Sequence, residues 1–90
     1  MKVVVNPREV RRFASFLEER ARELKQLDST ISRELLDLQS TWKDARYEQF
    51  EKRYEEASLQ LQRFLDHAER YVAYLREKII PIERYLERRF

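Results

Sequence analysis

A chain of 90 residues with 40% charged and 42% hydrophobic side chains and a mean hydropathy of -0.83 has the length of one domain and is too polar for a membrane span. Its 19 Lys and Arg offset 17 Asp and Glu to a net charge of +2 despite a pI near 9.0, and both signs recur within single helical turns, which argues against a basic stripe for nucleic acid. The absence of Cys excludes disulfides and thiolate chemistry, and the absence of Gly leaves Ser, Thr, Asn and Asp to make any turn.

The segment Met1 to Val5 is too short for the apolar region of a signal peptide and reads as a short extended arm over Lys2 to Val5. Asn6 then offers a helix N-cap, Pro7 suits the first helical position, and Glu9 stands where a capping box places an acid. Val5 and Val10 have the spacing of a hydrophobic staple. From Val10 the apolar positions Phe13, Leu17, Ala21, Leu24, Leu27, Ile31, Leu35 and Leu38 lead to Trp42 in steps of three and four, predicting one amphipathic helix over about residues 7–39. Mixed-charge runs such as Glu18-Glu19-Arg20-Ala21-Arg22-Glu23 then fall on its solvated faces.

The run Gln39-Ser40-Thr41-Trp42-Lys43-Asp44 carries the turn chemistry, so the turn is expected at about 40–44, with Asp44 capping a second helix through the N-H of Arg46 or Tyr47. A large indole in the middle of such a turn is unusual and marks Trp42 either as a plug for the closed end of a hairpin or as a docking residue.

In the second helix, Tyr47, Phe50, Tyr54, Ala57, Leu61, Phe64, Ala68, Tyr71 and Leu75 hold an a/d repeat, and a neighbouring row of Leu65, Val72, Ile79 and Leu86 joins it after Ser58. That row widens the apolar face beyond what one partner helix covers, so Leu65, Val72 and Ile79 are assigned to a dimer interface. The full set expected at the core or dimer interface is Phe13, Leu17, Leu24, Ile31, Leu61, Leu65, Tyr71, Val72, Leu75 and Ile79. Pro81 lacks an N-H and crowds the carbonyl of Glu77, which predicts a helix ending near residue 80 and a kinked or separate helical segment over 82–90.

The fold class is therefore all-α, an antiparallel two-helix hairpin that dimerises into a four-helix bundle. His67 has no second His or Cys beside it and is placed on an exposed flank. Neither a nucleophile with a base nor a Gly-rich phosphate loop is found, so no enzyme activity, cofactor or metal is expected.

A hairpin of about this length with Trp-Xaa-Gly at the turn and a Phe six residues after the Gly describes the WXG family, the early-secreted-antigen-like proteins of type VII secretion. The segment Thr41-Trp42-Lys43-Asp44-Ala45-Arg46-Tyr47-Glu48-Gln49-Phe50 resembles that motif, with Asp44 in place of the Gly, and the resemblance extends over about Asn6 to Ile80. It makes Trp42, Lys43, Asp44 and Phe50 the motif residues. It implies a non-enzymatic secretion substrate, partner or adaptor that forms a homodimer, or a heterodimer with a paralogous hairpin, and that meets a type VII secretion ATPase or a larger effector. Such a protein is cytoplasmic, or secreted without a cleavable signal.

Exported members of the family often carry Tyr-Xaa-Xaa-Xaa-Asp/Glu after the second helix. Here Tyr71 is followed four places on by Leu75, Tyr74 by Lys78 and Tyr85 by Arg89. The chain is accordingly expected to depend on a partner that bears the export signal. Two other readings of the same residues are a cytoplasmic coiled-coil scaffold unrelated to secretion and a helical nucleic-acid-binding protein.

Overall fold

A computed structural model of the chain describes residues 5–88, so that Lys2 to Val4 of the expected arm and Arg89 lie outside the described residues. Two α-helices account for nearly all of them: α1 over Pro7–Gln39 and α2 over Ala45–Arg88, joined by residues 40–44. They pack against each other along an antiparallel hairpin 68 Å long, 23 Å wide and 14 Å thick.

The start of α1 follows from its cap. Asn6 has extended backbone, its Oδ1 accepts from the N-H of Arg8 at 3.0 Å and of Glu9 at 3.4 Å, and Pro7 stands at the helix start, where its missing N-H costs nothing. Glu9 does not close a capping box among the described residues; its carboxylate instead takes both Arg12 bonds, at 3.0 and 2.9 Å. α1 ends where Ser40 and Thr41 turn back on the last carbonyls, the N-H of Thr41 bonding Leu38 O at 3.0 Å and that of Trp42 at 2.9 Å.

α2 does not end near residue 80 but runs through Pro81 as one helix to Arg88, so of the two outcomes expected there, a kinked continuation or a separate segment, no separate segment begins at residue 82. The missing N-H forfeits a single bond to Glu77, and Ile79, 2% exposed, together with half-buried Ile82 and Leu86, holds both sides of the Pro against the hairpin. Packing on both flanks outweighs the local preference.

The seam occupies a different edge of the apolar stripes from the one the periodicity suggested. Ala14, Ala21 and Leu35 of α1 are buried, with Tyr47, Leu65, Ala68, Val72 and Ile79 of α2. Ala21, Leu65 and Ala68 form the central cluster, against which Leu17 and Leu61 pack half-buried. Leu65, Val72 and Ile79, assigned above to a dimer interface, are thus covered by the hairpin's own first helix. Phe13, Leu24, Ile31 and Tyr71 are instead exposed, Tyr71 by 52%, as are Phe50 and Phe64.

The reason lies in size and in polar pairing. Small Ala21 and Ala68 let the helix backbones approach, whereas bulky Phe64 or Tyr71 at the centre of a two-helix seam would hold them apart. Charged contacts also gather on one side of the seam. Arg76 donates to Glu18 at 2.7 Å and Arg11 to Glu83 at 2.5 Å, turning that edge of both helices inward.

Truncation should separate the two rows. Ile79→Ala is expected to cost about 2–5 kcal/mol, whereas Tyr71→Ala in the dilute hairpin should cost about 1 kcal/mol or less. Urea unfolding read by helical circular dichroism checks this, and equal losses would refute the seam assignment.

Candidate functional site

Two features stand out from the hairpin, one face and one end. On α1, Phe13, Leu24, Ile31 and Leu38 each follow a residue on the seam side by three, and on α2 Phe50, Phe64 and Tyr71 do the same. Three positions are a rotation of one sense on any α-helix. Because the two helices run in opposite directions, the rotations lead to the same side of the hairpin. One broad face therefore carries these exposed apolar side chains of both helices.

A groove of about 580 Å³ lies open on this face, lined by Leu17 from α1 and by Phe64, His67, Ala68, Arg70, Tyr71 and Tyr74 from α2. Tyr71 and Tyr74 stack with ring centroids 6.0 Å apart, and the Lys78 ammonium lies 5.8 Å from the Tyr74 ring centre. His67 is exposed at the groove rim, as expected, and among the described residues no group of His, Cys, Asp and Glu is arranged to hold a metal.

The opposite face mixes charged and apolar side chains, with Leu36 and Leu59 exposed on it. Its grooves are edged by Glu51, Glu55 and Gln62 at one level and by Glu18, Arg22, Lys25 and Glu69 at another. Along the seam beneath it runs a bonded layer not foreseen from the sequence. The Tyr54 hydroxyl lies 2.5 Å from Asp28 Oδ1 and 2.9 Å from the Asp28 carbonyl oxygen, Ser58 donates to Asp28 Oδ2 at 2.9 Å, and Ser32 stands 3.3 Å from Tyr54. The sequence held a signal: Asp28 sits seven residues from both Ala21 and Leu35, at a position where a seam wants an apolar side chain.

The closed end is built around Asp44. Its Oδ1 accepts from the N-H of Arg46 at 2.9 Å and of Tyr47 at 3.1 Å, capping α2. The Tyr47 N-H, the Trp42 side chain and the Arg46 N-H hold the carboxyl below its ordinary range, against the opposing effect of burial. No described residue has a positive φ. The turn thus makes no use of the left-handed conformation that favours Gly, and Asp in the third motif position supplies a cap that Gly lacks.

Trp42 is half-buried, its ring 5.7 Å from Tyr47 in an edge-to-face contact at 71°. Tyr47 is 3% exposed, its hydroxyl donates to Leu35 O at 3.0 Å, and burial pushes its pKa up. The indole lids Tyr47, and Tyr47 ties the helices together. Lys43 is exposed and Phe50 lies nearly one turn beyond Tyr47 on the apolar face, so the motif residues divide between closing the turn and starting that face.

Matched against protein-family models, curated proteins and solved structures, the chain finds no counterpart in any of the three. What the structure defines is a helical hairpin with one broad apolar face and one of mixed character. Among the described residues no helix is long and apolar enough to cross a membrane.

Trp42→Ala is expected to cost about 2 kcal/mol, less than the roughly 3–5 of a fully buried indole. The native emission maximum should lie between the buried and exposed limits. Full exposure with an unchanged melting temperature in the variant would remove the structural role.

Acid should also loosen the fold. Asp28, Glu18, Glu83 and Asp44 all titrate below their ordinary values, Asp28 chiefly through Tyr54, Glu18 through Arg76 and Glu83 through Arg11. A carboxyl held down by folding contributes stability above its unfolded value, near about 4, and that contribution is lost as pH falls through and below it. The melting temperature should therefore be flat from neutral to mildly acid pH and fall below about pH 4. Asp28→Asn should shrink the fall, and a melting temperature constant down to about pH 2 would contradict it.

Proposed function

We propose that this protein works by binding, as a WXG-like component of a type VII secretion system that pairs with another helical hairpin and serves as substrate, partner or adaptor. The observation that carries the reading is the union of a Trp-Lys-Asp turn with a continuous apolar face, on which Phe50, the fourth motif residue, stands in line with Phe64 and Tyr71. A face of this kind suits a second pair of helices: two hairpins laid face to face enclose the exposed side chains in a four-helix bundle. The edge-to-face Trp42–Tyr47 contact and the capped turn close one end of the hairpin within that assembly. Catalysis has no place in this reading; the chemistry is hydrophobic burial and shape.

Export is where the reading is most exposed. A receptor that recognises Tyr-Xaa-Xaa-Xaa-Asp/Glu reads a ring and a carboxylate one helical turn apart. Tyr71 and Tyr74 are both open to solvent, but four residues after them stand half-buried Leu75 and Lys78, and the Lys78 cation lies over the Tyr74 ring. An acid-reading pocket meets an apolar side chain in one case and a positive charge in the other.

The expected outcome in a host with an active type VII system is retention of the chain expressed alone and its appearance in the culture filtrate beside a hairpin partner that carries the signal. Efficient export without any partner would overturn the partner-dependent reading. Retention beside the products of its neighbouring genes would instead favour the scaffold.

A further inference from the structure

We propose that the groove on the side of the hairpin opposite the apolar face is a second docking site, and that it takes one amphipathic helix of a partner protein, with leucine-like side chains along one stripe and Lys or Arg beside it. The site goes beyond the proposed pairing and does not depend on it, because it uses the face that such pairing leaves open. Its groove of about 590 Å³ runs between the two helices, with Ser32, Leu36 and Gln39 on the α1 side and Glu51, Glu55 and Leu59 on the α2 side.

Exposed leucines mark the groove first. Leu36 is 65% and Leu59 48% exposed, and the hairpin leaves both uncovered on opposite walls of one slot. The α2 wall is acidic. Glu48, Glu51 and Glu55 follow one another at spacings of three and four, and Leu59 continues the row. Glu48 lines an adjoining groove that shares Leu36 and Glu51 and carries the acidic rim toward the turn, where Lys43 ends it. No Lys or Arg lines the main groove, and among the described residues none of the three acids forms an ion pair. Glu51 and Glu55 are like charges one turn apart, an arrangement that weakens a helix until a cation neutralises it. Their field reaches the groove floor: after burial, Glu51 and then Glu55 push the pKa of the Tyr47 phenol up.

The floor decides what the occupant's backbone must be. Its polar groups are already engaged, the Tyr47 hydroxyl with Leu35 O, Tyr54 and Ser58 with Asp28, and Gln62 with Ser58. An extended peptide laid there would find few partners for its N-H and C=O groups, whereas a helix satisfies its own. What remains free is the apolar slot and the acidic rim, and their complement is an apolar stripe flanked by cations. Length agrees as well. The stretch 47–62 of α2 lines the groove and spans about 22 Å, the length of a helix of about 15 residues.

The probe is a labelled peptide of about 15 residues with Leu on one helical stripe, Lys on its flanks and Ala elsewhere, compared with the same peptide carrying Glu for Lys. Fluorescence anisotropy should show saturable one-to-one binding of the Lys peptide to the full chain, weakening about tenfold or more between about 50 and 500 mM salt. The Glu peptide should bind at least about tenfold less tightly. No binding of the Lys peptide up to about 1 mM, or equal binding of the two peptides, would overturn the proposal.

Glu51→Lys combined with Glu55→Lys should weaken the Lys peptide about tenfold or more and strengthen the Glu peptide, a reversal of preference that loss of folding cannot give. Leu36→Ser should weaken the Lys peptide about tenfold. Because Leu36 is so exposed, the helical circular dichroism of that variant should match the native chain. Tyr71→Ser, on the apolar face, should leave the affinity within about twofold. Binding lost in Tyr71→Ser and kept in the Glu51 and Glu55 double variant would place the peptide on the apolar face and sink the second site. A chain that binds the peptide as described yet never pairs through its apolar face would sink the proposed function and spare this inference.

Discussion

Cross-helix polar bonds on one side of the seam set how both helices are rotated, and the rest of the molecule follows from that rotation. Arg76 with Glu18, Arg11 with Glu83, and the Asp28 carboxylate between Tyr54 and Ser58 draw the same edge of each helix inward. Each pair at the surface is worth little by itself. Their effect is directional. With this edge inward, Leu65, Val72 and Ile79 are covered by α1, and the aromatic row of Phe50, Phe64 and Tyr71 is turned to solvent.

The same rotation explains why the hairpin has two unlike faces. A two-helix seam covers only part of each helix, so an apolar stripe wider than that part must leave one flank open. Here the open flanks of both helices fall on one side, while the acids and bases of the other side are solvated or paired across the seam. An open apolar face of this length is costly in water unless it is covered, and that cost is the physical basis of the proposal that the protein has a partner. The polar layer at Asp28 complements this by fixing register: sliding one helix by a turn would strand a carboxylate in the seam.

The closed end shows how an Asp serves a tight turn without Gly. Asp44 stands where the WXG pattern has Gly, but the turn needs no positive φ, and two backbone N-H groups find an acceptor in its side chain. Trp42 and Tyr47 then pack edge to face, and the Tyr47 hydroxyl bonds back to α1 through Leu35. One short segment caps α2, closes the hairpin and starts the apolar face.

The sequence by itself determined the local features. The Asn6–Pro7 start, the Asp44 cap, the two helices and the turn between them are encoded in contiguous residues, and spacings of three and four mark the apolar stripe of each helix. Tertiary structure alone decided which edge of each stripe faces the neighbouring helix, because periodicity gives the direction of a stripe and its width but not how two helices are rotated against each other. It also decided the fate of Pro81, where packing of Ile79, Ile82 and Leu86 outweighs the loss of one backbone bond. The Asp28 layer belongs there too, since its partners lie 26 and 30 residues away in α2 and meet only when the hairpin closes.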